Sequence, residues 1–307
     1  MQNIYEVGSA NKRKSFFIML FFVLFVTLSI YVLSQALGYG TGGLGFVGLA
    51  LIVSGLMSLG SYYFSDKIVL GISRARPADR KRDFDFYTVA ENLAIAAGLP
   101  KPKLFVIEDS APNAFATGRS PEHAVICATT GLLDKLNRTE LEGVIAHELT
   151  HVKNYDTRLM SIVVVLVGMV ALLGDWFLRI QWYGGRRNNN DSDDNKAGAI
   201  FLVLGIIFAI LSPIIASLIK LAISRRREFM ADAGAVLVTR QPGGLISALK
   251  KIASDHEPLE AANKATAHLY FENPFKDKRR DAVGTFASLF NTHPPVAARI
   301  SALEKMS

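Results

Sequence analysis

The densest chemistry in the sequence lies in five consecutive residues, His147-Glu148-Leu149-Thr150-His151. On a helix, positions four apart sit one turn above each other, so both imidazoles can reach a single Zn²⁺ while the glutamate between them projects beside the metal's open position. Glu148 then has the place of a general base, taking the proton of a water that attacks a peptide carbonyl and returning it to the leaving amine. The chain has only six histidines, which makes a chance His-Glu-x-x-His improbable. The plain alternative is two solvent-facing histidines on a surface helix.

A catalytic zinc takes three protein ligands and keeps a fourth position for water, so a further ligand has to come from elsewhere. Residues 225–239 supply a candidate, because Glu228 and Asp232 stand one helical turn apart. Glu228 can bind the metal, and Asp232 can accept a hydrogen bond from a ligand imidazole and so fix its tautomer. In the competing reading both carboxylates pair with Arg225, Arg226 and Arg227.

These residues need a helix, and the sequence provides one. Thr139 and Glu142 fit a capping box that would start it, with Leu141, Val144 and Ile145 on a buried face. Upstream, Phe86, Val89, Leu93 and Ala96 recur at the spacing of an amphipathic helix that Gly98-Leu99-Pro100 ends. Residues 103–108 and 124–128 read as short strands, and Asn113-Ala114-Phe115-Ala116-Thr117-Gly118 as an edge segment bounded by Pro and Gly. The expected fold class is α+β, mainly α, with a small sheet.

Half of the 307 residues are hydrophobic, and the excess collects in long runs with almost no charge. Four runs, about 16–37, 44–64, 159–182 and 197–223, are expected to be transmembrane helices; the first is too long for the apolar core of a secretory signal. The chain then divides into a membrane hairpin (1–64), a first part of a protease domain with the His-Glu-x-x-His helix (65–158), a second hairpin (159–223) and a second part (224–307). The formal charge of +7 could suggest a polyanionic ligand, yet Lys and Arg gather beside the apolar runs, at Lys12-Arg13-Lys14, residues 74–82 and Arg225-Arg226-Arg227. Topology explains that basicity, no nucleic-acid partner is expected, and the positive-inside rule puts both termini and the active site in the cytoplasm. The single cysteine, Cys127, excludes an intramolecular disulfide and a cysteine-based zinc cluster. If the helix of His151 runs on unbroken, the metal lies about 12 Å from the start of the third span.

Taken together, His147-Glu148-x-x-His151 and Glu228-Phe229-Met230-Ala231-Asp232 on a four-span membrane chain resemble the HtpX family of heat-shock membrane proteases, a group related to the CAAX prenyl proteases. Residues 113–118, and Thr292-His293-Pro294-Pro295 with Arg299, resemble segments of the same family. The resemblance implies a zincin-like (gluzincin) domain, one Zn²⁺ per chain with Glu228 as third ligand and Asp232 as its support, and degradation of misfolded membrane proteins in a bacterial inner membrane. It also implies that His293, on a rigid Pro-Pro turn, stabilises the oxyanion, although a surface histidine is the alternative. Asn113, Ala114, Phe115, Ala116 and Thr117 could hold an extended substrate by strand addition, or form a simple turn, and Arg299 is a further candidate for substrate contact. No Gly-x-x-x-x-Gly-Lys-Ser/Thr loop occurs, so cleavage is expected without ATP. Two other functions remain open: a CAAX-type prenyl-protein protease, and a non-catalytic membrane scaffold around a structural zinc.

Overall fold

The computed structural model describes residues 4–36, 43–166, 225–255, 257–260, 270–271 and 294–306. The chain begins with two long helices, α1 (Ile4–Ala36) and α2 (Gly43–Ile72), which pack on each other. Within them Val7–Tyr31 and Val47–Ile72 are long and apolar enough to cross a membrane. Most of their large side chains point outward: Phe16, Phe17, Leu24, Leu49, Ile52 and Leu56 are all exposed. Apolar surface on that scale needs lipid or protein to cover it. Of the expected third span only residues 159–166 are described, as helix, and the expected fourth span lies outside the described residues.

Between the two long apolar helices and the helix of the His-Glu-x-x-His motif lies a four-stranded mixed sheet: β1 (Arg76–Pro77), β2 (Lys103–Ile107), β3 (Ala114–Thr117) and β4 (Val125–Thr129), in the order β1-β2-β4-β3. β4 runs parallel to β2, with Lys103 opposite Val125, and antiparallel to β3, with Ala114 opposite Ala128. The segment expected at an edge is therefore the edge strand β3. Alternation along the strands divides the core. Leu104, Val106, Ala116, Ile126 and Ala128 face a cluster with α3 (Phe84–Ala97) and the helix at residues 138–153, whereas Ile107, Phe115, Val125 and Cys127 face α1, α2 and residues 159–166. Helix α3 ends as expected, with Gly98 at φ 68° and the Leu99 amide closing on the Ala94 carbonyl. Its buried stripe ends on Ala97 rather than Ala96.

After α4 (Thr130–Lys135) comes α5 (Arg138–Lys153), the helix of the motif. Its capping box differs from the expected one by two residues: Asn137 accepts from the Glu140 amide, and Glu140 accepts from the Asn137 amide. Asn is as good a cap as Thr, and starting at Asn137 buries Glu140 against Ser247 and Lys251. Glu142 is left outside, paired with Arg138. The condition attached to the distance of about 12 Å, an unbroken helix from His151 to residue 159, is not met. The chain leaves helical geometry at Asn154, Tyr155 takes a φ of 57°, and a new helical stretch starts at residue 156. Three further helices, α6 (Arg225–Thr239), α7 (Pro242–Ser254) and α8 (Val296–Glu304), pack around α5 and one another.

Candidate metalloprotease site

The site forms where α5 crosses α6. His147 and His151 project from the same side of α5 as expected, but they point into the protein: both are buried, as are Glu148 and Glu228. Nε2 of His147 lies 3.1 Å from Nε2 of His151. Glu228 places one carboxylate oxygen 3.7 Å from the first and the other 3.5 Å from the second. One ligand atom from each residue falls within 4.8 Å of the others. A tetrahedral ion with bonds of about 2.0–2.1 Å spaces its ligands about 3.3 Å apart, close to the separations seen among these three groups.

The far side of each ring shows why. Nδ1 of His147 donates to Oδ1 of Asp232 at 2.9 Å, and Nδ1 of His151 donates to Oδ2 of Asp156 at 3.0 Å. With the Nδ1 protons committed, each neutral ring turns an Nε2 lone pair toward the other and toward the Glu228 carboxylate. Two lone pairs and an anion converging in a buried space repel one another unless a positive charge lies between them. The same demand appears in the titration of His147. Burial alone would depress its pKa, but Asp232 and Glu228 outweigh that and hold it up at about 9. In turn Asp232, despite burial, is held down at about 2, first by His147 and then by Arg299. The donor set fits a divalent metal.

A small cavity opens beside the rings, lined by Ala116, Glu148, Thr157, Met160, Tyr270 and Phe271. Glu148 therefore faces the same space as the Nε2 atoms, as the motif requires. β3 borders it, and the outer edge of that strand is met by Phe271, whose amide donates to the Ala114 carbonyl at 2.8 Å. Phe271 also packs edge-on against His147, with centroids 5.0 Å apart.

Residues 80–307 match the family model described as Peptidase family M48. The chain belongs to peptidase family M48. Over 307 residues this M48 chain is 40% identical to a "Protease HtpX homolog" of Caldanaerobacter subterraneus subsp. tengcongensis, spanning 100% of the one and 99% of the other. It is 42% identical over 308 residues to the homologue of Dictyoglomus turgidum, spanning 98% and 94%, and 40% identical over 312 residues to that of Listeria monocytogenes, spanning 99% and 100%. Among solved structures it aligns with S. mikatae Ste24p at a TM-score of 0.48 and 18% identity, over 98% of this chain and 67% of that one, a likeness too distant to bear on the reaction. The M48 chain is a membrane metalloprotease, it acts on protein substrates, and its family implies a metal ion.

The expected site residues are not all brought together in the same way. His147, Glu148, His151, Glu228 and Asp232 converge; Ala114, Phe115, Ala116 and Thr117 form the buried strand β3, with Asn113 buried just before it and Ala116 lining the cavity. Arg299, expected near substrate, is instead fully buried, with Nε and Nη2 donating to the two oxygens of Asp232. His293 lies outside the described residues. Arg227 reaches Asp156 at 3.4 Å, and Asp232 pairs with Arg299.

Asp156 itself escaped the sequence reading. On an unbroken helix it would stand about 140° around from His151, on the wrong face to touch it, and only the left-handed turn at Tyr155 brings it back. Tyr270 and Phe271 were missed for another reason, as nothing in their local pattern marks a pair of aromatics that meets β3 and the metal group.

Proposed function

We propose that the chain is a zinc endopeptidase that hydrolyses misfolded or damaged membrane proteins at the cytoplasmic face of a bacterial inner membrane, without ATP. One Zn²⁺ is held by His147, His151 and Glu228, with Asp232 behind His147. The observation that carries this reading is the convergence of two Nε2 atoms and the Glu228 carboxylate while both Nδ1 atoms are tied to aspartates. Imidazole and carboxylate ligands at this spacing suit zinc. A structural zinc would close all four positions with protein groups; among the described residues three converge, and Glu148 stands beside them.

Zinc, when bound, supplies a Lewis acid for the attacking water and the scissile carbonyl. Glu148 accepts the proton of that water and delivers it to the leaving amine. Burial of the site excludes bulk water and strengthens each charge interaction there. The outer edge of β3, beyond the Ala114 carbonyl that the Phe271 amide occupies, is suited to take an extended peptide by strand addition, and His293 is placed in the role of oxyanion donor by family likeness alone. Four membrane helices, with the protease domain split between residues 65–158 and 224–307, complete the proposed topology. In support of the cytoplasmic orientation, the metal group lies at the end of α1 that carries Lys12, Arg13 and Lys14, the side favoured by the positive-inside rule.

The test is Glu148→Gln in the full chain, purified in detergent. Bound zinc and the melting temperature are expected to stay native while cleavage of an unfolded membrane protein falls about 10²–10⁴-fold. A variant that retains cleavage overturns the mechanism.

A further inference from the structure

We propose that Asn11, in the first membrane helix, is a positioning residue for His151, acting through Asp156, so that the metal site is complete only when α1 is docked against it. The inference rests on the metal-site reading above. It starts from a polar residue that is buried. Val7, Asn11, Ser15, Ile18 and Phe22 recur at spacings of three and four along α1 and form its buried stripe, while Phe16, Phe17, Leu20 and Leu24 face outward. A buried amide in such a stripe is costly unless it is bonded. Asn11 commits both hydrogens of Nδ2: one goes to the Asn154 carbonyl at 2.9 Å, the other to Oδ1 of Asp156 at 2.8 Å.

Those two acceptors flank Tyr155, whose left-handed backbone is unfavourable for a residue with a bulky side chain. Two neighbouring positions of α1 hold this turn. Asn11 bonds both sides of it, and the Lys12 ammonium sits 4.0 Å from the centre of the Tyr155 ring. The turn is what carries Asp156 back to His151. Asp156, itself 1% exposed, accepts from His151 Nδ1 on Oδ2 and from Asn11 and Arg227 on Oδ1. The chain of contacts from membrane helix to ligand is thus Asn11 to Asp156 to His151, with one hydrogen bond at each step. If Asn11 served only to dock α1, it would need no partner on the ring's own carboxylate.

The experiment measures metal affinity by chelator competition, the absorption spectrum of the Co²⁺-loaded full chain, and the melting temperature. Partners that orient ligand histidines contribute about 10–100-fold to metal affinity, which is the loss expected for Asp156→Asn. Asn11→Ala, one bond further out and with Arg227 still in place, is expected to weaken metal binding about three- to tenfold and to shift the Co²⁺ bands. In an Asp156→Asn background the same substitution should add no further loss, since both act on one ring. Ile18→Ala, on the same buried stripe but away from the turn, should lower the melting temperature and leave affinity and spectrum native. If Asn11→Ala does not accumulate, the isosteric Asn11→Asp, which removes the donor and sets a second carboxylate against Asp156, carries the same comparison. Native affinity and spectrum in the Asn11 variants, or additive losses in the double variant, overturn the proposal. A native chain that binds no metal would instead sink the metal-site reading beneath it.

Discussion

Arg299 and Asp232 meet side by side beneath His147, with Nε 2.9 Å from Oδ2 and Nη2 2.6 Å from Oδ1, both side chains removed from solvent. The guanidinium also lies 4.7 Å from the centre of the Phe271 ring. Deleting one partner of a buried pair leaves the other charge uncompensated, so Arg299→Ala should cost about 3–5 kcal/mol in chemical denaturation. Arg299→Lys should recover only part of this, because one ammonium cannot span both oxygens. Both variants should loosen the orientation of His147 and bind metal about 10–100-fold more weakly in chelator titrations.

Glu140 gives a pH-dependent prediction. Its carboxylate accepts from the Asn137 amide at 2.8 Å, from Lys251 at 2.7 Å and from Ser247 at 2.6 Å, tying the start of α5 to α7. Burial alone would raise its pKa; Lys251, Ser247 and the Asn137 amide outweigh that and hold it below the ordinary glutamate value. A carboxyl depressed by folding stabilises fully above its unfolded pKa and ceases to do so as pH falls through the folded value. Glu140→Gln should therefore cost about 1–2 kcal/mol near neutral pH. Denaturation curves taken at successively lower pH should show the gap between variant and native chain closing.

The crossing of α5 and α7 depends on two glycines. A Cβ on Gly143 would stand 2.7 Å from the Leu245 amide nitrogen, and one on Gly244 would stand 2.5 Å from the Thr139 carbonyl oxygen. Backbone cannot yield as a flexible side chain does. Gly143→Ala and Gly244→Ala should each destabilise the chain by about 1–3 kcal/mol, read as a lower melting temperature, although alanine is the better helix former.

Metal removal should weaken the fold as well as the activity. Without a cation, the two imidazoles and Glu228 form a buried cluster that must take up a proton or move apart, and His147 is the group expected to take it. Free metal at about a thousand times its dissociation constant adds about 4 kcal/mol to stability. Exhaustive chelation should lower the melting temperature, and added Zn²⁺ should restore it; equal melting curves with and without metal would contradict the site.

The local reading was accurate where the determinant was local. A four-residue spacing on a helix set His147 and His151 on one side of α5, and the same spacing set Glu228 and Asp232 on one side of α6, because helical geometry leaves no other choice. Alternation and turn residues likewise marked β2, β3 and β4 to within a residue. The capping box was misplaced by two residues because Asn137 with Glu140 and Thr139 with Glu142 both satisfy a local pattern. Burial of Glu140 against Lys251 and Ser247, more than a hundred positions away, favours the first.

By itself, then, the sequence determined the reaction class through the residue types and spacing of His147-Glu148-x-x-His151, the apolar helices α1 and α2 through their long uncharged runs, and the small sheet through alternation and turn residues. Tertiary structure alone decided which carboxylate supports which imidazole, that Arg299 lies under Asp232, and that the helix of His151 breaks at Tyr155 to bring back Asp156 and meet Asn11. The reason is that a buried polar group must find its partner in space, and the partners of His147, His151 and Asp232 are supplied by segments whose own local patterns give no sign of where they will meet.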